Sequence, residues 1–206
     1  VVVQRSVGTH SFQHIVKYQR LDELQEKIQN FSTRVLKSDC LDLPEKVYTK
    51  RSVSLTSEQV KAYTEMKKAA ITFFEENVMT AASVLTQMIR LHQIICGHVK
   101  TDDGEIKSIK SNRIKELLEV LEETNGKVII WAVYRYDIQE IERTLGEKYG
   151  KESVATYYGD TKDNLRQSIV DRFMDADDPL RFFVGNPKTG GYGLTLTSSH
   201  TVVYYS

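Results

Sequence analysis

The length, composition and charge of the chain predict a globular protein and exclude several other classes. Its 206 residues suit one large domain or two small ones, and 40% hydrophobic with 27% charged residues can form a substantial core. Because 28 basic side chains balance 28 acidic ones, the chain is not a small, wholly basic nucleic-acid module, although a local phosphate-binding groove is compatible with this balance.

The cysteines and the apolar runs indicate the cellular setting. Cys40 and Cys96 are too few for a disulfide framework, which predicts a reducing, intracellular compartment. No apolar run reaches the length of a membrane span and no signal peptide is visible, so we expect no membrane association. The chain starts with Val1 rather than Met and ends inside a strand-like run, which predicts a fragment of a longer protein.

The first half of the chain has mainly the pattern of helices. One helix is predicted where apolar residues recur at helical spacing, at Leu21, Leu24, Ile28 and Phe31. Residues 57–76 contain many good helix formers without Pro or Gly, and residues 81–96 carry an apolar stripe that stops at Gly97. Residues 47–55 alternate apolar and polar side chains, which predicts a strand.

The second half, after a turn at Asp102-Asp103-Gly104, alternates helical and strand-like segments. Strands are predicted at 127–133, 153–158, 180–184 and 202–205. The intervening helices show apolar faces at Ile114, Leu117, Leu118 and Leu121, at Ile138, Ile141 and Leu145, and at Leu165, Ile169 and Phe173. Asp160 or Thr161 is expected to cap the third of these helices. Repeated strand–helix units predict a doubly wound parallel sheet flanked by helices.

A glycine-rich segment follows the predicted strand at 180–184. Gly190, Gly191 and Gly193 allow a backbone to approach a ligand closely. The carboxyl end of a parallel strand is where an α/β sheet usually binds its ligand. The glycines alone favour a plain turn, whereas the order of the surrounding elements favours a ligand-binding loop.

Other motifs are absent or incomplete. The sequence contains no G-x-x-x-x-G-K-[ST] phosphate loop, and the pair Gly191 and Gly193 lacks the third glycine of a dinucleotide fingerprint. His92, Cys96 and His98 are close in sequence, but Cys40 is the only other thiol and no C-x-x-C pair is present, so a helix end with a buried cysteine is predicted rather than a zinc site. Residues 175–178 lack the glycine and glutamate of a calcium loop and predict a solvated turn. We therefore predict no metal site.

Several segments occur in an order that is far more specific than any one of them. They are Leu43-Pro-Glu-Lys46, Gln87 to His98, Lys127 to Trp131, Tyr158 to Thr161 with Arg166, and Thr189 to Thr197. From about residue 43 to residue 206, this set resembles the carboxyl-terminal motor lobe of a Swi/Snf-type ATPase of helicase superfamily two. The family's usual strings are L-P-x-K, L-R-x-I-C-N-H-P, D-G-S-T and G-G-x-G-L-N-L.

The chain departs from these strings at single positions. Tyr158 and Asp160 replace the Asp and Ser of D-G-S-T, Gly97 and Val99 replace an Asn and a Pro, and Thr195 replaces an Asn. These departures indicate a divergent member of the family. We therefore expect the cytoplasm of a bacterium or of a phage-infected cell rather than a nucleus.

The resemblance implies a fold and a division of the chain. It implies an α/β, RecA-like parallel sheet flanked by helices, with a helical protrusion inserted in the first half. Residues 1–42 would be a helical linker from a missing first lobe, and residues 43–110 the start of the second lobe with the protrusion. Residues 111–206 would form the RecA-like lobe, which stops before the last motif and its catalytic arginines, so no catalytic residue is expected in this fragment.

The resemblance also implies ligands and site residues. ATP and Mg²⁺ would be bound mainly by the missing lobe, and DNA, double-stranded rather than single-stranded, would be contacted through its phosphates. The nucleotide-facing residues would be Gly191, Gly193 and Thr195. The nucleic-acid-binding residues would be Arg135, Gly159, Thr161, Arg166, Lys188, Thr189 and Gly190. Trp131 is expected in the core.

Alternatives remain open at this stage. Arg166 could instead be an exposed helix arginine that is paired with Asp163 or Asp171. The lobe could belong to another superfamily-two helicase that acts on RNA or branched DNA. A scaffold without catalytic activity is a third reading.

Overall fold

The computed structural model describes residues 2–7, 10–36, 40, 42, 44–76, 81–101 and 103–206. Leu43 of the Leu43–Lys46 motif and Asp102 of the predicted turn lie outside these residues. The chain divides into two compact units, Val1–Thr49 and Lys50–Ser206. The predicted division at residues 42 and 110 stays a prediction.

The first unit contains a hairpin and a helix. Strands β1 (Val2–Val7) and β2 (His10–Ile15) pair in antiparallel register, with Val2 opposite Ile15. Helix α1 (Leu21–Gln29) forms where the apolar spacing predicts it, and Asp22 and Glu23 in its first turn favour the helix through its dipole. None of the residues of α1 is buried, so its apolar stripe faces solvent.

The second unit begins with a pair of helices. Helix α2 (Ser57–Glu76) and helix α3 (Ala81–Cys96) have the predicted bounds. Gly97 ends α3 with a positive φ of 93°, and a Cβ there would lie 2.8 Å from the Cβ of Ser111. A short antiparallel hairpin follows, formed by β3 (His98–Lys100) and β4 (Ile106–Ser108).

The rest of the second unit forms a layered α/β domain. Its elements in chain order are α4 (Arg113–Glu122), β5 (Lys127–Trp131), α5 (Arg135–Tyr149), a 3₁₀ turn (Lys151–Ser153), β6 (Val154–Tyr157), α6 (Asp163–Met174), β7 (Phe182–Gly185), α7 (Pro187–Gly190) and β8 (Ser199–Tyr204). The strands form one parallel sheet in the order β6-β7-β5-β8. The predicted α/β fold is therefore confirmed.

Apolar side chains cover both faces of this sheet. On one face, Val128, Ile130, Phe182 and Val184 pack against the buried residues of α4 and α5. On the other face, the intervening strand residues Ile129, Trp131 and Phe183 pack against α6. Adjacent residues of a strand point to opposite faces, so a strand buried on both sides reads as one continuous apolar run.

Two predictions about local structure are wrong. Residues 47–55 do not form a strand, and Val47 and Tyr48 are 84% and 86% exposed. Among the described residues, no strand pairs with this segment. Alternating apolar and polar side chains do not form a strand unless a neighbouring strand accepts and donates the backbone hydrogen bonds. Neither Asp160 nor Thr161 caps α6, because its N-cap residue is Lys162 and makes no side-chain cap bond.

Candidate functional site

The candidate site residues lie where the strands of the sheet end. Because the sheet is parallel, the segments that follow β5, β6 and β7 emerge at the same edge. Asn186, directly after β7, connects them. Its backbone N–H donates to the Tyr157 carbonyl at 3.1 Å, and its side-chain Nδ2 donates to the Val133 carbonyl at 2.8 Å.

Asn186 also begins the short helix α7. Its Oδ1 accepts a hydrogen bond from the Lys188 N–H at 2.9 Å, and Pro187 occupies the first helical turn. Asn before Pro is a frequent start of a helix, because the side chain satisfies a free N–H and proline needs none. The Asn-Pro pair is a signal in the sequence that could have identified Asn186 as the start of a helix.

The three glycines of the loop have different environments. Gly190 is buried, and a Cβ on it would lie 3.1 Å from Cη2 of Trp131. Its N–H donates to the Asn186 carbonyl at 2.9 Å, so its amide is occupied within the loop. Gly191 and Gly193 are exposed. The backbone at Gly190 therefore lies close to the Trp131 ring rather than being free to approach a ligand. Trp131 is 9% exposed and lies in the core, as predicted.

The exposed part of the loop offers unused hydrogen-bond donors. Among the described residues, none accepts a hydrogen bond from the backbone N–H of residues 192–195. Leu194 and Leu196 pack against the core, while Thr195 between them is exposed. The described part of the chain also places no partner at the Lys188 ammonium or the Thr189 hydroxyl. A ligand with several acceptor oxygens fits this set of donors.

The turn after β6 is the second part of the candidate site. The Thr161 hydroxyl accepts a hydrogen bond from the Tyr158 N–H and donates one to the Thr156 carbonyl, both at 3.0 Å. The Thr161 N–H donates to the Tyr158 carbonyl. Thr161 therefore shapes the turn with the groups that were expected to reach a phosphate. The N–H groups of Gly159 and Asp160 have no partner among the described residues.

Two arginines flank this turn. Arg135 follows β5, and its Nη2 lies 3.0 Å from Oδ1 of Asp160. Arg166 on α6 has its Nε 3.3 Å from Oδ1 of Asp163 and 3.3 Å from the Thr161 carbonyl oxygen. The alternative pairing of Arg166 with Asp163 is thus present, whereas Asp171 accepts a hydrogen bond from Gln167.

The structure brings most of the predicted site residues to one edge. The glycine loop and the turn lie side by side, since a Cβ on Gly190 would be 3.2 Å from Cδ1 of Tyr157, directly before the turn. Arg135 reaches the turn from the end of β5. Gly185, which was not among the predicted site residues, must be glycine because a Cβ there would lie 2.7 Å from Cζ3 of Trp131.

The candidate zinc ligands His92, Cys96 and His98 lie at and just after the carboxyl end of α3. Cys96 is buried, and this burial raises the pKa of its thiol to about 12, so it stays protonated. Its sulfur lies 4.0 Å from His92, which contacts the Tyr134 hydroxyl at 2.7 Å. His98 is buried beside Asp137, with 3.4 Å between Nδ1 and Oδ1. Among the described residues no three His, Cys, Asp or Glu side chains gather as a metal site.

Comparisons with known proteins give one family match and several relatives. Residues 109–206 match the model of the helicase conserved C-terminal domain. Over 200 residues the chain is 29% identical to YwqA of Bacillus subtilis, whose name describes an ATP-dependent helicase/translocase. That alignment covers 90% of this chain and 21% of YwqA, so the chain spans about a fifth of this relative's length.

Two solved structures share the fold. The Sulfolobus solfataricus SWI2/SNF2 ATPase core in complex with dsDNA matches with a TM-score of 0.66 and 24% identity, over 90% of this chain and 41% of that one. The C-terminal domain of the SWI2/SNF2 ATPase of the same organism matches with a TM-score of 0.62 and 22% identity, over 75% of this chain and 69% of that one.

In the described residues, no helix has the length and apolarity that a membrane crossing needs.

Proposed function

Because residues 109–206 match the helicase conserved C-terminal domain, we propose that this chain is the second motor lobe of a Swi/Snf-type ATP-dependent DNA translocase or helicase. In this role it contacts nucleic-acid phosphates and closes on ATP that a first lobe holds. The solved core that it resembles was determined with dsDNA, which supports a duplex as the nucleic acid.

One observation carries the proposal. The glycine loop and the turn after β6 lie side by side, and their N–H groups at residues 159–160 and 192–195, next to the exposed Lys188, have no acceptor among the described residues. Backbone N–H groups and a lysine ammonium are donors that phosphate oxygens accept. Such contacts fix the position of a nucleic-acid backbone and carry no sequence information, as a translocating motor requires.

The loop also fits one wall of a nucleotide site. Its donors at Gly193 and Thr195 suit the oxygens of a ribose or a phosphate, and the absence of side chains at Gly191 and Gly193 leaves the backbone accessible. ATP, when bound, supplies the phosphoryl group whose transfer to water drives the motor. The described residues do not gather carboxylates that fit Mg²⁺, so we assign the Mg²⁺ ligands to the first lobe.

The proposal is tested by the salt dependence of DNA binding. A fluorescein-labelled DNA duplex of mixed sequence is titrated with this chain by fluorescence anisotropy at several salt concentrations. Because few groups contact phosphates, we expect affinity that is micromolar or weaker and a shallow slope, with about −0.9 contributed by each neutralised phosphate. Lys188→Ala should lower the absolute slope by about one and weaken binding to different sequences alike.

Lys151→Ala provides the control for this experiment. Lys151 is exposed like Lys188 but precedes β6, so it lies at the opposite edge of the parallel sheet. Its replacement changes the net charge equally and should leave the slope unchanged. Tight, sequence-selective binding at high salt would contradict the proposal and indicate a module that reads bases. Equal effects of the two lysine variants would contradict the assignment of the site.

A further inference from the structure

The ion pair between Arg135 and Asp160 covers the turn that the proposed function assigns to a phosphate. The Arg135 Nη2 atom lies 3.0 Å from Asp160 Oδ1. The same Nη2 atom would be 3.7 Å from a Cβ on Gly159, so the guanidinium lies over the turn. The cation that lies over Gly159 is therefore already bound to a carboxylate of the turn itself.

Arg135 is held less firmly than Arg166 on the other side of the turn. Its side chain is 68% exposed, and the contact with Asp160 is its one polar contact among the described residues. Arg166, across the turn, is 31% exposed and is also fixed by the Thr161 carbonyl and by the ring of Tyr157, 5.5 Å from its guanidinium carbon. Arg166 therefore has a structural role, whereas Arg135 can exchange its partner.

A phosphate is a better partner for Arg135 than the carboxylate it now contacts. Ion pairs between exposed side chains are weak, because water screens them and two side chains must be ordered. A guanidinium can bind a phosphate through two parallel hydrogen bonds, and the free N–H groups of the turn would add to this contact. A phosphate that takes Arg135 leaves Asp160 without its cation and close to another negative charge.

We propose that Asp160 is an internal counter-ion that competes with nucleic-acid phosphate for Arg135. The carboxylate neutralises the arginine when the lobe is free and repels the phosphate when the lobe is bound. Both effects lower the affinity and the salt dependence of binding at this turn. The inference rests on the proposed function, and it adds that a residue of the turn, Asp160, weakens the contact between the turn and phosphate.

The decisive variant is Asp160→Asn, which keeps the size of the side chain and removes its charge. In the same anisotropy titration of this chain with the DNA duplex, we expect affinity to rise about two- to fivefold. This change corresponds to the free energy that an exposed ion pair contributes. The salt slope should become steeper by up to about 0.9, because Arg135 then neutralises a phosphate without first losing an ion pair with a carboxylate.

Asp163→Asn is the matched control. It removes the same charge three residues away, from a carboxylate that is 95% exposed and paired with the anchored Arg166. We expect its affinity and slope to stay close to those of the unchanged chain. Arg135→Ala should weaken binding, and Asp160→Asn added to Arg135→Ala should give no gain beyond that of Asp163→Asn. Circular dichroism checks that each variant is folded.

The outcomes separate this inference from the proposed function. If the unchanged chain binds the duplex with the expected salt dependence but the two Asp→Asn variants gain equally, general charge explains the gain and the counter-ion is disproved. Unaltered binding by Arg135→Ala would also disprove it. If the unchanged chain binds no duplex even at low salt, the proposed function itself fails.

Discussion

At the scale of single residues, two neighbouring glycines of the loop are required for different physical reasons. Gly191 has an ordinary φ of −76°, but a Cβ there would lie 2.3 Å from the Pro187 carbonyl oxygen. Gly193 has open space around it and a φ of +77°, which side chains rarely tolerate. Space is thus limiting at Gly191, whereas the backbone angle is limiting at Gly193.

A series of substitutions at Gly193 tests this distinction. Gly193→Ala should lower the free energy of unfolding by about 1–2 kcal/mol, while Gly193→Asn should cost less because Asn adopts the left-handed conformation more readily. Gly193→Val should cost roughly 1–3 kcal/mol and should abolish DNA-stimulated ATP hydrolysis in a two-lobed enzyme that contains this chain. Urea denaturation measures the stability, and circular dichroism confirms the fold. A Val variant with full activity would make the loop an ordinary turn.

At the scale of elements, one buried glutamine joins the two helices of the helical pair. Gln59 is 1% exposed, and its Nε2 donates to the carbonyls of Ile94 and Ile95 at 3.0 and 2.9 Å. Its Oε1 accepts from the Thr56 N–H at 3.1 Å. The side chain therefore satisfies the carboxyl end of α3 and the approach to α2 together, where both helix ends would otherwise have free polar groups.

Removal of this side chain should destabilise the second unit more than an ordinary polar substitution does. We expect Gln59→Ala to lower the free energy of unfolding by about 2–3 kcal/mol, since the Ile95 carbonyl and the Thr56 N–H lose their partner and the Ile94 carbonyl keeps only the Gly97 N–H among the described residues. Gln167→Ala is the control, because Gln167 is exposed and bonds one carboxylate, and its cost should stay within about 0.5 kcal/mol. Urea denaturation measures the free energy of unfolding of both variants. Equal losses would show that the hydrogen bonds of Gln59 do not contribute to stability.

The elements that could be predicted from the sequence are those whose own residues carry the pattern. The bounds of α2 and α3 follow from composition and from Gly97. The hairpin of β3 and β4 has only three residues per strand, which is too short for a periodic signal. Residues 47–55 have the alternation of a strand without a neighbouring strand, and pairing cannot be inferred from one segment.

The candidate site was predictable in its position but not in its hydrogen bonds. The glycine loop could be placed after a strand because parallel strands end at a common edge. The occupied hydroxyl of Thr161, the role of Asn186 and the pairing of Arg135 with Asp160 depend on which strands are neighbours. That order, β6-β7-β5-β8, arises from tertiary contacts between distant parts of the chain.

At the scale of the whole molecule, we propose that the chain supplies one side of a nucleotide site. The carboxyl edge of the sheet presents N–H groups and cations, which stabilise negative charge. The sequence has no phosphate loop, and the described residues gather no carboxylates for a metal ion. The activities needed to hold and to hydrolyse a nucleoside triphosphate are therefore divided between this chain and a first lobe, as proposed.

The purified chain should accordingly hydrolyse no ATP, with or without DNA. Joining it to an amino-terminal lobe and to the terminal arginine motif should restore DNA-stimulated hydrolysis, because the two lobes then contribute complementary groups to one cleft. A coupled assay of phosphate release measures both preparations. Robust turnover by the chain alone would contradict the division of the site between two lobes.

The position of Trp131 has a spectroscopic consequence. It is the single tryptophan of the chain, and Gly185 and Gly190 approach its indole ring closely at the base of the glycine loop. Its emission therefore arises from one place, directly beneath the proposed contact with phosphate. Movement of the loop or binding of a ligand to it changes the polarity around this indole, so these 206 residues contain an unlabelled optical reporter of that event.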